Sequence, residues 1–441
     1  MTSFRVTLTV LVLLALGGGA TIAAGDGGHG SRGGYEVWTV DQSNSAGKAS
    51  GGTLYVYNGR QLARTGGGAV PERIDLGGAA EALCVSQTGS VPVRPHMLLF
   101  NASRTYAVLS FVASGHVLFI DASARKPVAC VDAGIQAHAA VPAPDQSYVV
   151  VANQNGKVLQ RIKTDYRRKR FTLEDAATLD LATGVTPSGA PRQDPVLRPD
   201  NAPICPLVES SSRLSFVTLR GGGLFVVDTR ATPMRIVAEY DKETIHGNGC
   251  GGLEAGGKMY VNSGGGTAAN LSEFDVYAFR LKDFAGRRPS PPNTPARRLV
   301  VSQDDREHTD SHGATLTRHG RYLWVADRMG NRVVVIDTRT DRPAGEFPVA
   351  GALSSDPSPD LMDTSPNGDR VYVSLRGSIP LSGDPHAATG NTPGLCVLKV
   401  KDGGRTGEVE SIARIANVDP AGIDRADPHA LRVRPIPRWG G

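Results

Sequence analysis

Several marks of common enzyme classes are missing from this chain. It has no G-x-S-x-G turn to present a nucleophilic serine, no H-E-x-x-H pair and no C-x-x-C-H for covalent haem. A nucleophile-elbow hydrolase, a zincin and a c-type cytochrome are therefore set aside. The glycine runs Gly221-Gly222-Gly223 and Gly264-Gly265-Gly266 do not lead from a strand into a helix. They read as turns rather than phosphate loops. Charge is nearly balanced, 48 basic against 43 acidic residues for a net +5, and Arg167-Arg168-Lys169-Arg170 is the one dense basic run. No groove-reading helix or stacking motif accompanies it, so it reads as a solvated loop and nucleic acid is not an expected partner. Past the first 24 residues no apolar run is long enough to span a bilayer.

What the chain does have is short strands split by turn residues. Ser311–Ala350 shows the unit best: Ala314–Thr317, Tyr322–Ala326, Val333–Asp337 and Gly345–Val349, separated by Arg318-His319-Gly320, Asp327–Asn331 and Thr338–Pro343. Aromatic and β-branched runs closed by Gly, Asn and Asp predict a four-stranded meander. A meander of about forty residues cannot bury both faces alone and needs sister units stacked on it. Five sisters follow the same order, over Pro95–Asp132, Ala137–Ile162, Ala202–Glu239, Gly251–Leu281 and Ser358–Ile415. A seventh is split. Tyr35–Asp41 and Thr53–Tyr57 read as middle strands, and Pro428–Ile436 reads as the first strand they lack. Joining them closes a ring and removes an open sheet edge. The expected fold is all-β: a seven-bladed β-propeller of four-stranded blades over 35–441, closed by pairing of the N- and C-terminal strands. Abundant Gly (53) and Pro (29) between β-branched strands fit turns rather than disorder.

In Tyr322–Pro348 the stretch Leu323-Trp324-Val325-Ala326-Asp327 stands where the YVTN-type β-propeller repeat has Y-V-T-N, and Asn331 with Val333–Thr338 matches its following N-x-V-x-V-I-D-T run. The chain resembles that family and, more loosely, WD40-like propellers. The resemblance implies the seven-bladed architecture. Its fold relatives include lactonases, sensor-like propellers of exported bacterial proteins and the propeller domains of nitrous oxide and nitrite reductases. One fold hosts many activities, so function must come from a site.

The N-terminus reads as a leader. Arg5 precedes the apolar run Val6–Leu16 and the small-residue stretch Gly17–Ala24, the pattern of a signal peptide over 1–24 with a flexible lead over 25–34. No Cys follows, so no lipid anchor is expected. A secreted or periplasmic location follows, and the high Ala, Gly, Arg and Pro content suits a bacterial source. Five cysteines fit an exported protein with at most two disulfides. Cys84 and Cys130 are a candidate pair. Cys205 and Cys250 are candidates either to pair or to ligate metal, and Cys396 reads as a buried thiol. Three segments exceed what blade turns need: Arg161–Pro199, Lys282–His308 and Arg376–Thr392, the last with His386.

Histidine placement carries the chemistry. His96, His138, His312 and His429 each open a first-strand segment (PHMLLF, AHAAVP, SHGATL, PHALRV), and His246 precedes the fifth unit. Asp360 and Asp363 flank the opening strand of Ser358–Ile415. Since the first strand of every blade lines the channel, equivalent positions converge near one mouth. The candidate ring is His96, His138, His246, His312, His429, Asp360, Cys205 and Cys250, with His308 and Asp310 as secondary members. Imidazole suits zinc, copper, iron and nickel, and Cys or Asp completes such a shell. The sequence does not name a cofactor; on the metal reading the candidate ions are zinc and copper. Alternatively the ring is a polar mouth for a small molecule or a partner's loop. The repeat resemblance offers a third reading, in which these histidines fix blade-to-blade contacts. The sequence thus points to an exported binding protein, monomeric, taking a metal ion, a small ligand or another exported protein. The alternatives are a lactonase-like metal-dependent hydrolase or redox enzyme, with His246, Asp310, His312 and Asp360 as base and electrophile, and an interaction scaffold.

Overall fold

The computed structural model describes residues 34–247, 249–265, 272–286, 290–303, 306–381 and 388–436. The expected leader, the lead before Gly34, Asp304-Asp305 and His386 lie outside them. The described chain forms seven antiparallel sheets, six of them laid out in chain order from the axis outward. In blade 2 the order is Pro95–Phe100, Tyr106–Phe111, His116–Asp121 and Lys126–Asp132. Blades 3 to 7 begin with Ala137–Pro142, Pro203–Val208, Leu253–Ala255, Ser311–Leu316 and Pro359–Thr364. Blade 1 is the split one. Its innermost strand is Pro428–Pro435, followed by Tyr35–Asp41, Thr53–Asn58 and Glu72–Asp75. Val37 faces Val433 and Thr39 faces Leu431 across the closing pair.

Middle strands are buried on both faces, which is why they read as continuous apolar runs rather than alternating ones. In Arg332–Asp337 the four residues Val333–Ile336 are all buried, whereas the outermost strand Arg342–Pro348 is mostly exposed. The core is a set of apolar layers between consecutive blades. Trp324, Val335, Val373 and Leu398 fill the layer between blades 6 and 7, and Val37, Tyr57, Leu431 and Val433 meet Tyr372 and Val397 between blades 7 and 1. Each fully buried Val or Leu contributes about 1.5–3 kcal/mol, so each layer ties its two blades together.

Some expectations are corrected. Two helices, Gly59–Thr65 and Glu81–Thr88, and the polar strand Glu72–Asp75 follow the first two strands of the chain. Arg161–Pro199 and Lys282–His308 are not plain insertions, because they contain the outer strands Arg170–Leu173, Leu179–Asp180 and Arg298–Ser302. The basic run 167–170 lies on an exposed hairpin turn. Cys84, on the second helix, is bonded to Cys130 of blade 2 with a Cα–Cα distance of 5.1 Å. Cys396 is a buried free thiol whose pKa burial pushes up to about 12. Among the described residues no helix is long and apolar enough to cross a membrane.

Candidate functional site

The innermost strands share a local irregularity that builds the site. In blade 2, Pro95 pairs with Phe111 and Leu98 with Leu109, so His96 and Met97 oppose the single residue Ser110. The same bulge places His312-Gly313 in blade 6, Asp360-Leu361 in blade 7, His429-Ala430 in blade 1 and Ile204-Cys205 in blade 4. In blade 3 the extra residue is His138 itself. A bulge bends its strand and re-aims a side chain out of the regular pleat. Proline is tolerated at Pro95, Pro203, Pro359 and Pro428 because each is the first residue of its strand. In blade 5, Cys250 precedes the shortened strand Leu253–Ala255. Every blade thus offers one metal-ligand type of side chain: His429, His96, His138, Cys205, Cys250, His312 and Asp360 for blades 1 to 7.

Polar side chains on the second strands hold these bulges in place. Ser110 Oγ donates to the His138 carbonyl, Thr218 Oγ1 to that of Gly249 and Asn262 Nδ2 to that of His312, at 3.0, 2.8 and 2.7 Å. Ser374 Oγ likewise donates to the His429 carbonyl. Three of these bonds run from one blade to the bulge of the next, and that of Thr218 runs to the segment just before the first strand of blade 5.

The imidazoles form a row. The His96 ring stacks on His429 at 4.0 Å between centroids, His138 lies edge-on to His96 at 4.5 Å, and His312 is 5.5 Å from His429. Their tautomers follow from their neighbours. Gln42 donates its Nε2 to Asp427 Oδ2 at 2.6 Å, which turns Gln42 Oε1 toward His96 Nδ1 at 2.8 Å. His138 Nδ1 meets the Ile204 carbonyl at 2.9 Å, and His429 Nδ1 meets Asp360 Oδ2 at 2.7 Å. All three Nδ1 atoms must donate, so all three Nε2 atoms carry lone pairs when the rings are neutral. The Nε2 atoms of His96 and His138 face each other at 3.2 Å. His429 Nε2 is buried with no hydrogen-bond partner among the described residues. His312 Nε2 lies 3.1 Å from Asp360 Oδ1, yet off the line of a hydrogen bond, so both atoms are also unsatisfied. His312, Asp360 and His429 offer ligand atoms within 4.8 Å of one another. His138, Cys205 and Cys250 do the same, and the two cysteines are bonded as a disulfide.

Charge around the row is compensated. Buried Arg376 bridges Asp427 at 2.7 Å and Asp360 at 3.2 Å. Burial alone would raise the Asp360 carboxyl, but His429, His312 and Arg376 outweigh it and hold it far below the ordinary range. Burial, with His429, His138 and nearby arginines, keeps His96 well below the usual histidine value, and burial with Arg328 does the same for His312. Asp310, paired with Arg328 at 2.6 Å, is pushed by burial up to about 6.

Not every candidate joins the row. His246 pairs through Nδ1 with Asp275 Oδ2 at 2.7 Å and forms a separate group with Asp275 and Glu273. His308 is exposed, and Asp310 faces Arg328. Arg376, Asp427 and Gln42 escaped the sequence reading. Only Asp427 left a signal, as the acidic residue just before Pro428-His429.

No protein-family model and no curated protein matches the chain. Solved structures do match. A protein from Lactobacillus plantarum is 12% identical over 91% of this chain and 99% of its own, with a TM-score of 0.56. The periplasmic gluconolactonase of Pseudomonas aeruginosa is 13% identical over 91% and 100%, at 0.55. A β-propeller domain from Myceliophteria thermophila is 10% identical over 77% and 96%, at 0.50. The likeness is one of fold. It supports the seven-bladed propeller, and no family match singles out the YVTN repeat.

Proposed function

We propose that this propeller is an exported binding protein that holds a transition-metal ion, zinc or copper, in its axial histidine row. The observation that carries the reading is the set of Nδ1 contacts: His96, His138 and His429 each commit Nδ1 to an oxygen acceptor, which leaves Nε2 with a lone pair wherever the ring is neutral. Two acceptors facing each other at 3.2 Å repel unless a cation lies near them, and the low basicity of His96 disfavours a proton in that role. Buried polar atoms left without a partner cost about 1–3 kcal/mol each; His312 Nε2, His429 Nε2 and Asp360 Oδ1 are such atoms among the described residues, and their residues offer ligand atoms within 4.8 Å of one another. Oxygen acceptors on the far ring nitrogen are the usual outer shell of metal-binding histidines. Export is supported by the leader-like run Val6–Leu16.

The test is elemental analysis of untagged protein from its export compartment. Near-stoichiometric zinc or copper is expected, and a His96→Ala/His429→Ala variant should lose it. Protein that carries no metal and takes up neither ion on dialysis would overturn the proposal and leave the histidines as blade contacts. A second reading, metal-assisted hydrolysis, draws on the His–Asp–Arg set and on the gluconolactonase among the fold neighbours. It predicts turnover of a sugar lactone that is lost in His312→Ala.

A further inference from the structure

Blades 4 and 5 give no histidine to the row. They give Cys205 and Cys250, nearly buried at 1% and 5% exposure. The second disulfide of the chain, Cys84–Cys130, ties a surface helix to an outer strand. The Cys205–Cys250 pair instead sits among the axial ligands, its sulfurs within 4.8 Å of a His138 ring nitrogen. His138 Nδ1 is committed to the Ile204 carbonyl, and its Nε2 is 3.2 Å from that of His96.

We propose that Cys205 and Cys250 are a redox-gated part of the site: as a disulfide they leave the ring to imidazole and carboxylate, and as a dithiol they open, with His138 and His96, a sulfur–nitrogen subsite for a soft ion such as copper(I) or zinc. This deepens the metal reading above and rests on it for where the ion sits. Two thiolates and one or two imidazoles are the donor set that selects these ions.

The surrounding fold keeps both cysteines in place without the covalent tie. The Cys205 amide donates to Thr218 Oγ1 at 3.2 Å, and Thr218 Oγ1 donates on to the Gly249 carbonyl beside Cys250. On the other side of Cys250, the Gly251 amide donates to Asn262 Oδ1 at 2.9 Å, and Asn262 reaches the His312 strand. A layer containing Phe216, Val226, Val261 and Phe279 joins blades 4 and 5 independently. Reduction therefore frees two ligands without opening the ring. The step balances against an external dithiol: its thiolate attacks one sulfur, the mixed disulfide resolves, and two electrons and two protons pass to Cys205 and Cys250 while the reductant leaves as a disulfide. Each thiol then releases its proton on meeting the ion.

Cobalt(II) is the probe. Protein reduced with a phosphine, freed of reductant and kept anaerobic should develop a thiolate-to-cobalt charge-transfer band in the near ultraviolet, and oxidised protein should not. A Cys84→Ala/Cys130→Ala variant should keep the band, and Cys205→Ser or Cys250→Ser should lose it. His138→Ala should weaken cobalt binding by about tenfold or more. Reduced protein without the band, or a band that survives both serine variants, overturns the proposal. Zinc uptake by the oxidised protein separates the two readings. Uptake without any thiolate band leaves the imidazole site and sinks the gate, whereas a thiolate band without oxidised-state uptake does the reverse.

Discussion

Asp360 is where the polar contacts of the row converge. It meets Arg376 at 3.2 Å, His429 at 2.7 Å and His312 at 3.1 Å from a fully buried position. Asp360→Asn removes the negative charge from a buried network, a change that typically costs about 3–5 kcal/mol. The low end is expected because Arg376 keeps Asp427. Urea unfolding should show a lower midpoint at unchanged slope. His312 gives a pH signature. Its ring stays neutral in the fold, while in the unfolded chain it takes up a proton as pH falls below about 6.5. The unfolded state then binds more protons, so stability falls with acid. Nearby Asp310, raised to about 6, pulls the other way below that pH, since its folded form holds the extra proton. His312→Gln in chelator should flatten the stability-versus-pH slope between pH 6.5 and 5 by up to about 1.4 kcal/mol per unit. An unchanged slope would mean that His312 is charged in the fold. The ring histidines were legible because each repeats at the start of a first strand. Gln42 was not, since its role depends on Asp427, 385 residues away.

At the level of the element, the bulged inner strands approach one another at glycine. A Cβ on Gly313 would lie 2.1 Å from the Asp360 carbonyl, and one on Gly251 would lie 1.5 Å from that of His312. Backbone cannot yield as a flexible side chain does, so Gly313→Ala should cost about 1–3 kcal/mol or more and displace Asp360 from His312. A lowered melting temperature together with weakened zinc binding would show both effects, and full retention of each would contradict the close approach. The double-sided burial of strands such as Tyr322–Asp327 and Arg332–Asp337 made them plain in the sequence. Outer strands such as Glu72–Asp75 bury little and carry no such mark. The bulge hid the start of Ser311–Leu316, because a residue pair opposite a single partner breaks the alternation by which a strand is recognised.

For the whole molecule, closure of blade 1 decides stability. Leu431 and Val433 are buried between blades 7 and 1, so Leu431→Ala should cost about 2–5 kcal/mol. Removing 428–436 leaves the long strand Tyr35–Asp41 as an open edge, and aggregation is expected in light scattering. The repeat count and the split blade were both legible, because each meander carries its own strand pattern. The same closure completes the axial row. Among the described residues, His429 lies on the last strand and docks against the first. A chain cut short before Pro428 can own six sound blades and still lack the Asp360–His429 pair. The axial row therefore works as a completeness check: only a molecule whose first and last described strands have paired holds all of its side chains in place.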